Sequence, residues 1–203
     1  DESETKKTCL SAHVKPFNAV TFNPFWNISD FQRFCRVTAL ARRLVKRLKP
    51  AVDVSVADML DAELLWVRHA QGDHFADDIL ALKNGRPLPK GSYLRKLDPF
   101  LDEAGLLRVG GRLAAADMGM DEKHPIILPA VRVTSLCDVN NYIVSRLIFH
   151  YHCVNQHAGP DWLLNVLRQR YWLITGRRVI RNVISRCVAC QRATKRPLEQ
   201  KIA

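Results

Sequence analysis

Apolar side chains recur at helical spacing through most of the chain, and a stretch in the middle breaks that period. From 30 to 49, DFQRFCRVTALARRLVKRLK sets Phe31, Phe34, Cys35, Leu40, Ala41, Leu44, Val45 and Leu48 on one stripe, with Arg36, Arg42, Arg43, Lys46 and Lys49 largely off it. This predicts an amphipathic helix with a solvated cationic face, capped by Ser29 or Asp30 and ended by Pro50. SVADMLDAELLWVRHAQ predicts a second helix with Ser55 as N-cap and Met59, Leu60, Leu64 and Val67 toward a core. DHFADDILALKNG continues it or forms a third helix that closes at Gly85. Past the proline-punctuated RPLPKGS, short β-favouring runs predict a hairpin: Leu106–Val109, a turn at Gly110 and Gly111, and a return through Arg112 and Leu113. A further short strand is predicted at Ile126–Leu128. So few strands must pack on helices.

The helical period then returns. Asp138 or Asn140 caps NNYIVSRLIFHYH; PDWLLNVLRQRYW starts on Pro160 and offers Leu163, Leu164, Leu167, Tyr171 and Trp172 to a core. GRRVIRNVISRC turns Val179, Ile180, Val183 and Ile184 inward and Arg177, Arg178 and Arg181 outward. The expected fold class is mainly α with a small β-hairpin region, ending in a short helix bundle of helix-turn-helix type. Four segments are expected: an extended lead (1–29) with Phe22, Phe25 and Trp26 available to dock on the rest of the chain, a helical region (30–90), a loop and small antiparallel β region (91–139), and the C-terminal bundle with its basic tail (140–203).

Composition narrows the class. At 203 residues and 47% hydrophobic, the chain can bury a sizeable core, yet it holds no run of eighteen apolar residues and no signal-peptide pattern at its start. These features predict a soluble, non-secreted protein, and the missing initiator Met suggests a piece of a longer one. The formal net charge is +11, of which residues 140–203 carry +9. Such asymmetry points to a polyanionic partner held by the last third.

Cys9, Cys35 and Cys137 are scattered singly, Cys153 adjoins a histidine, and only Cys187 and Cys190 are closely spaced. This is not a disulfide framework. His152 and His157, then Cys187 and Cys190, supply two nitrogens and two thiolates, a set suited to one tetrahedral, structural Zn²⁺. His150, two residues earlier, and Cys153, directly after His152, compete as ligands. His69 and His74 lack further ligands nearby and read as surface histidines. With four protein ligands there is no open position for an activated water, so metal catalysis is disfavoured. A chelator is expected to loosen residues 145–200 and spare the helices of 30–85.

HYHCVNQHAG and LLNVLRQRYWLITGRRVIRNVISRCVACQRATKRP together resemble the His-His-Cys-Cys zinc-binding N-terminal domain of retroviral and retrotransposon integrases. LKNGRPLPKGSYLRKLDPFLDEAGLLRVGGRL and KHPIILP resemble the segment that precedes it in polyproteins of BEL/Pao-type LTR retrotransposons. The likeness spans about residues 30–200. It implies that the hairpin region is an integrase N-terminal extension, and that the bundle assists integrase multimerisation and contacts the ends of the element's DNA. In the family, an RNase H-like core with an Asp-Asp-Glu triad comes after this bundle. Thirteen residues remain after Cys190, and the acids of DMLDAE and DPFLDE read as solvated surface or caps, so no enzyme activity is expected of this piece. On this reading Arg177, Arg178, Arg181, Arg192, Lys195 and Arg196 neutralise the phosphates of double-stranded DNA ends, with self-association possible and no membrane partner. The site of action would be intracellular, and nuclear at the time of function. The competing reading is a domesticated protein-interaction scaffold that keeps the zinc bundle only for its fold.

Overall fold

The computed structural model describes residues 30–45, 53–111, 117–130 and 139–194, with backbone alone for 139–142. The lead of 1–29, Leu48, the return at Arg112 and Leu113, the cap at Asp138 and the tail residues Lys195 and Arg196 lie outside the described residues.

Helix α1 (Phe31–Val45) begins where the Asp30 carboxylate accepts the N–H groups of Gln32 and Arg33. It buries Phe31, Phe34, Cys35, Thr38 and Ala39, whereas Leu40, Leu44 and Val45 of the expected stripe are exposed. The inner face is rotated because Thr38 is satisfied there: its hydroxyl donates to the Phe34 carbonyl at 2.9 Å and accepts the Trp66 indole N–H at 2.9 Å. Helix α2 (Val56–His74) opens with a reciprocal capping box between Ser55 and Asp58. It buries Ala62, Trp66, Val67, Ala70 and Gln71; Met59 and Leu64 pack at the core's edge and Leu60 is exposed. Three arginines of α1 lie near acids of α2 or just before it: Arg36 is 3.8 Å from Asp53, Arg42 3.7 Å from Asp61 and Arg43 3.4 Å from Asp58.

Helix α3 (Ala76–Lys83) is separate from α2, and Gly85 at φ +63° turns the chain away from it. A 3-10 turn (Tyr93–Leu97) leads to a sheet of four short strands: β1 (Phe100–Leu101), β2 (Leu107–Arg108), β3 (Ile126–Leu128) and β4 (Tyr171–Leu173), side by side in that order. β1 and β2 pair antiparallel, β2 and β3 antiparallel, and β3 and β4 parallel with Ile126 opposite Tyr171. The structure corrects two expectations. The hairpin partner of β2 is β1, across the tight turn that Gly105 closes at φ +74°. Gly110 serves for close approach instead: a Cβ there would sit 2.0 Å from the Asp98 carbonyl oxygen. The helix expected to run through Trp172 stops at Arg168, because Tyr171–Leu173 pairs with β3 and alternates buried, half-buried, buried.

After the short helix α4 (Met120–Lys123) come α5 (Val139–Val154), α6 (Pro160–Arg168), α7 (Gly176–Ile184) and α8 (Val188–Thr194). The result is mainly helical with a small sheet, as the periodicity predicts. Ile126, Leu128 and Leu106 face a main core shared by α1, α2, α5, α6 and α7; Leu107 and Ile127 point the other way, into a smaller cluster with Phe75 and Leu94. Gln71, fully buried, stitches α2 to this sheet: its amide nitrogen donates to the Leu107 and Ile127 carbonyls and its oxygen accepts the Leu107 N–H. The main core therefore crosses the segments that sequence alone sets apart.

Candidate metal centre

The last turn of α5 carries His152, fully buried, and the loop after it carries His157. Cys187 lies just past α7 and is buried; Cys190 stands on α8. One ligand atom from each of the four lies within 4.8 Å of the others. His152 Nε2 is 3.1 Å from His157 Nδ1 and 3.2 Å from Cys190 Sγ, while His157 Nδ1 is 3.3 Å from Cys187 Sγ and 3.7 Å from Cys190 Sγ. A tetrahedral zinc with bonds of ~2.0 Å to nitrogen and ~2.3 Å to sulfur has edges of about 3.3 to 3.8 Å. The donor set and its spacing fit one structural zinc ion.

The surroundings prepare the donors. His152 Nδ1 lies 3.1 Å from the Ala158 carbonyl, to which it donates, so that Nε2 presents its lone pair to the cluster. Burial holds the His152 pKa below the ordinary histidine value, with the neighbouring His157 adding to the effect and the Ala158 carbonyl opposing it. Desolvation, followed by the neighbouring Cys187, raises the Cys190 thiol. A zinc ion supplies the charge that turns such thiols into thiolates, and its binding releases their protons. All four positions are filled by protein atoms, so the centre holds helices at an angle and leaves no site for a bound water.

Neither competing ligand joins the cluster. His150 turns its ring toward Phe31, centroids 5.5 Å apart, and Cys153 is exposed. Both line a cleft of ≈ 460 Å³ between α1 and α5, along with Arg146 and Phe149. Arg146 lies over the Phe34 ring at 5.4 Å, and burial lowers its pKa to about 10.

Between the ligand pairs, α6 buries Leu163 and Leu167, and α7 buries Val179, Ile180 and Val183, with Ile184 at the core's edge. Gly176 lets the two helices close: a Cβ there would meet Leu164 Cδ1 at 2.8 Å. Arg177, Arg178, Arg181 and Arg192 are all on the surface, and Arg177 pairs with Asp161 at 2.7 Å. Tyr171 is fully buried and Trp172 half-buried beneath Arg168, whose guanidinium is 5.7 Å from its ring.

Sequence reasoning missed a polar cluster on the far side of β4. Arg170 reaches Glu63 of α2 at 2.9 Å, the Tyr171 hydroxyl donates to the same carboxylate, and Asp121 joins Arg170 to Arg108, which in turn holds Asp102 at 2.6 Å. Glu63 and Asp102 are thus partners of largely buried arginines, and Arg170 is not available to a polyanion. Glu63 lies 107 residues from Arg170 and 108 from Tyr171, so no signal in the local sequence could have announced those pairs.

A closed site of two imidazoles and two thiols, set in a helical bundle, defines a structural metal-binding module. Residues 139–196 match the family model of the integrase zinc binding domain. Comparison with curated proteins and with solved structures gives no match. Among the described residues, no helix is long and apolar enough to cross a membrane.

Proposed function

We propose that the chain is the non-catalytic, zinc-stabilised part of a BEL/Pao-type retrotransposon integrase region, binding double-stranded DNA ends and assisting integrase assembly in the nucleus. The observation that carries this reading is the distribution of unpaired cations. Arg178, Arg181 and Arg192 stand at the surface of the helices that hold the metal cluster, with no carboxylate partner among the described residues, while Arg42 and Arg43 of α1 face acids of α2 and Arg36 faces Asp53 just before it. The family match to residues 139–196 and the closed ligand set support a module that recruits rather than reacts. Lys195 and Arg196 extend the same basic run along the sequence.

The test is duplex binding by the zinc-loaded chain as salt is raised. Phosphate neutralisation requires log affinity to fall linearly with log salt, and each of Arg178→Ala, Arg181→Ala and Arg192→Ala should cut the slope by about 0.9 for any duplex sequence. A flat salt response, with zinc still bound, would instead favour the protein-interaction scaffold.

A further inference from the structure

The spacing of the two histidines coincides with a helix-capping motif. At the end of α5 the His157 N–H donates to the His152 carbonyl at 2.8 Å, and the Gln156 N–H donates to the Cys153 carbonyl at 3.1 Å. These are the two hydrogen bonds of a Schellman cap, one from the sixth residue to the first and one from the fifth to the second. Side chains at the first and sixth positions of such a cap meet, commonly as an apolar contact. Here they are His152 and His157, whose rings stand at 88° with centroids 4.8 Å apart. The cap thus requires the four-residue gap between the ligands, and two imidazoles replace the usual apolar pair.

The fifth position of the cap must be left-handed, a place that usually falls to glycine. Gln156 occupies it at φ +54°, and His157 comes next at φ +59°. Histidine tolerates this region better than most residues; glutamine has no such advantage. The neighbours brace the turn: Asn155 Nδ2 donates to the Tyr151 carbonyl at 2.7 Å and the Ala158 N–H to the Asn155 carbonyl at 3.0 Å.

We propose that Gln156 is a positioning residue for the metal: its left-handed backbone folds His157 back onto His152, and the strain at this one residue sets how tightly the clamp holds zinc. Metal coordination keeps the cap closed against that strain. A glycine at 156 would keep it closed without help, and a β-branched residue would oppose it more strongly. The inference rests on the zinc assignment, and the experiment separates the two.

Zinc affinity is measured for the full chain, wild type, Gln156→Gly and Gln156→Val, by competition with a chromophoric chelator, and the thermal stability of the zinc-free forms is measured beside it. The wild type should bind one zinc per chain, Gln156→Gly should tighten binding about five- to tenfold, and Gln156→Val should loosen it by at least as much. Failure of the wild type to take up stoichiometric zinc would remove the metal centre itself. A wild type that binds zinc, with Gln156→Gly matching its affinity, would leave the centre standing and overturn the positioning role, even if zinc-free stability rises. Should Gln156→Val fail to fold, the Gln156→Gly affinity decides alone.

Discussion

The Tyr171 hydroxyl donates to the Glu63 carboxylate, joining β4, which lies between the two ligand pairs, to a helix 108 residues earlier in the chain. Tyr171 is fully buried, and Tyr151 on α5, the residue before the ligand His152, meets its ring edge to face at 6.4 Å. The metal cluster and the N-terminal helices therefore share one packed interior, with α2 against α5 and β4 in the sheet.

This continuity changes what zinc removal should do. A structural zinc supplies folding energy, on the order of 10 kcal/mol in small fingers. With α1 and α2 packed on α5, its loss should loosen the helices of 30–85 together with 145–200. Hydrogen exchange of the chelated protein should show weakened protection at Trp66 and Val67 as well as at Val179 and Ile180. Protection that stays at its zinc-loaded level in α2 would show two independent units.

Glu63→Ala should destabilise the chain by about 1–3 kcal/mol, since it leaves the Arg170 guanidinium and the Tyr171 hydroxyl short of a partner in a largely buried site. Denaturant unfolding of the zinc-loaded protein measures this. Glu63→Gln, which keeps an acceptor for Tyr171 but not the charge for Arg170, should cost less.

Burial pushes the Cys35 thiol up to about 12, and Glu63 and Asp30 add to the shift. The unfolded chain ionises this thiol nearer the ordinary value of 9.0, so between pH 9 and 12 the unfolded state binds fewer protons than the native one. Stability from Cys35 is full below pH 9 and is lost as pH rises toward 12. Unfolding curves across that range should fall less steeply in Cys35→Ala. In the native protein at neutral pH, a thiol reagent should label exposed Cys153 and leave Cys35 unmodified.

Gly110→Ala should cost about 3 kcal/mol or more, because its Cβ would strike the backbone oxygen of Asp98. Gly176→Ala should cost about 1 kcal/mol, since the atom it meets first is the mobile end of Leu164. A ranking of melting temperatures checks the order of the two.

Local chemistry made several features legible. The longer helices announce themselves by apolar period, the start of α2 by Ser55 as N-cap, and β3 by a short β-favouring run, whereas the short helices α4 and α8 carry no such signal. The metal donor set is legible, down to the competition of His150 and Cys153 with the proposed ligands, because few residue types bind zinc and the pairs lie at ligand spacing. The exposed face of α7 comes from the same period that buries Val179, Ile180 and Val183.

Other features depend on partners far away along the chain. Tyr171–Leu173 is a strand because β3 lies open beside it, and Thr38 is an inner residue because Trp66 arrives with an indole N–H to donate. His152 rather than His150 joins the cluster because α5 packs its His150 side toward Phe31. By itself the sequence determined which side chains could bind a metal and which stretches could be helical, since both depend on residue type and short spacing. Strand pairing, the rotation of α1 and the Glu63–Arg170–Tyr171 cluster were decided only by the tertiary structure. Each forms when burial removes water and leaves a distant polar group as the remaining partner.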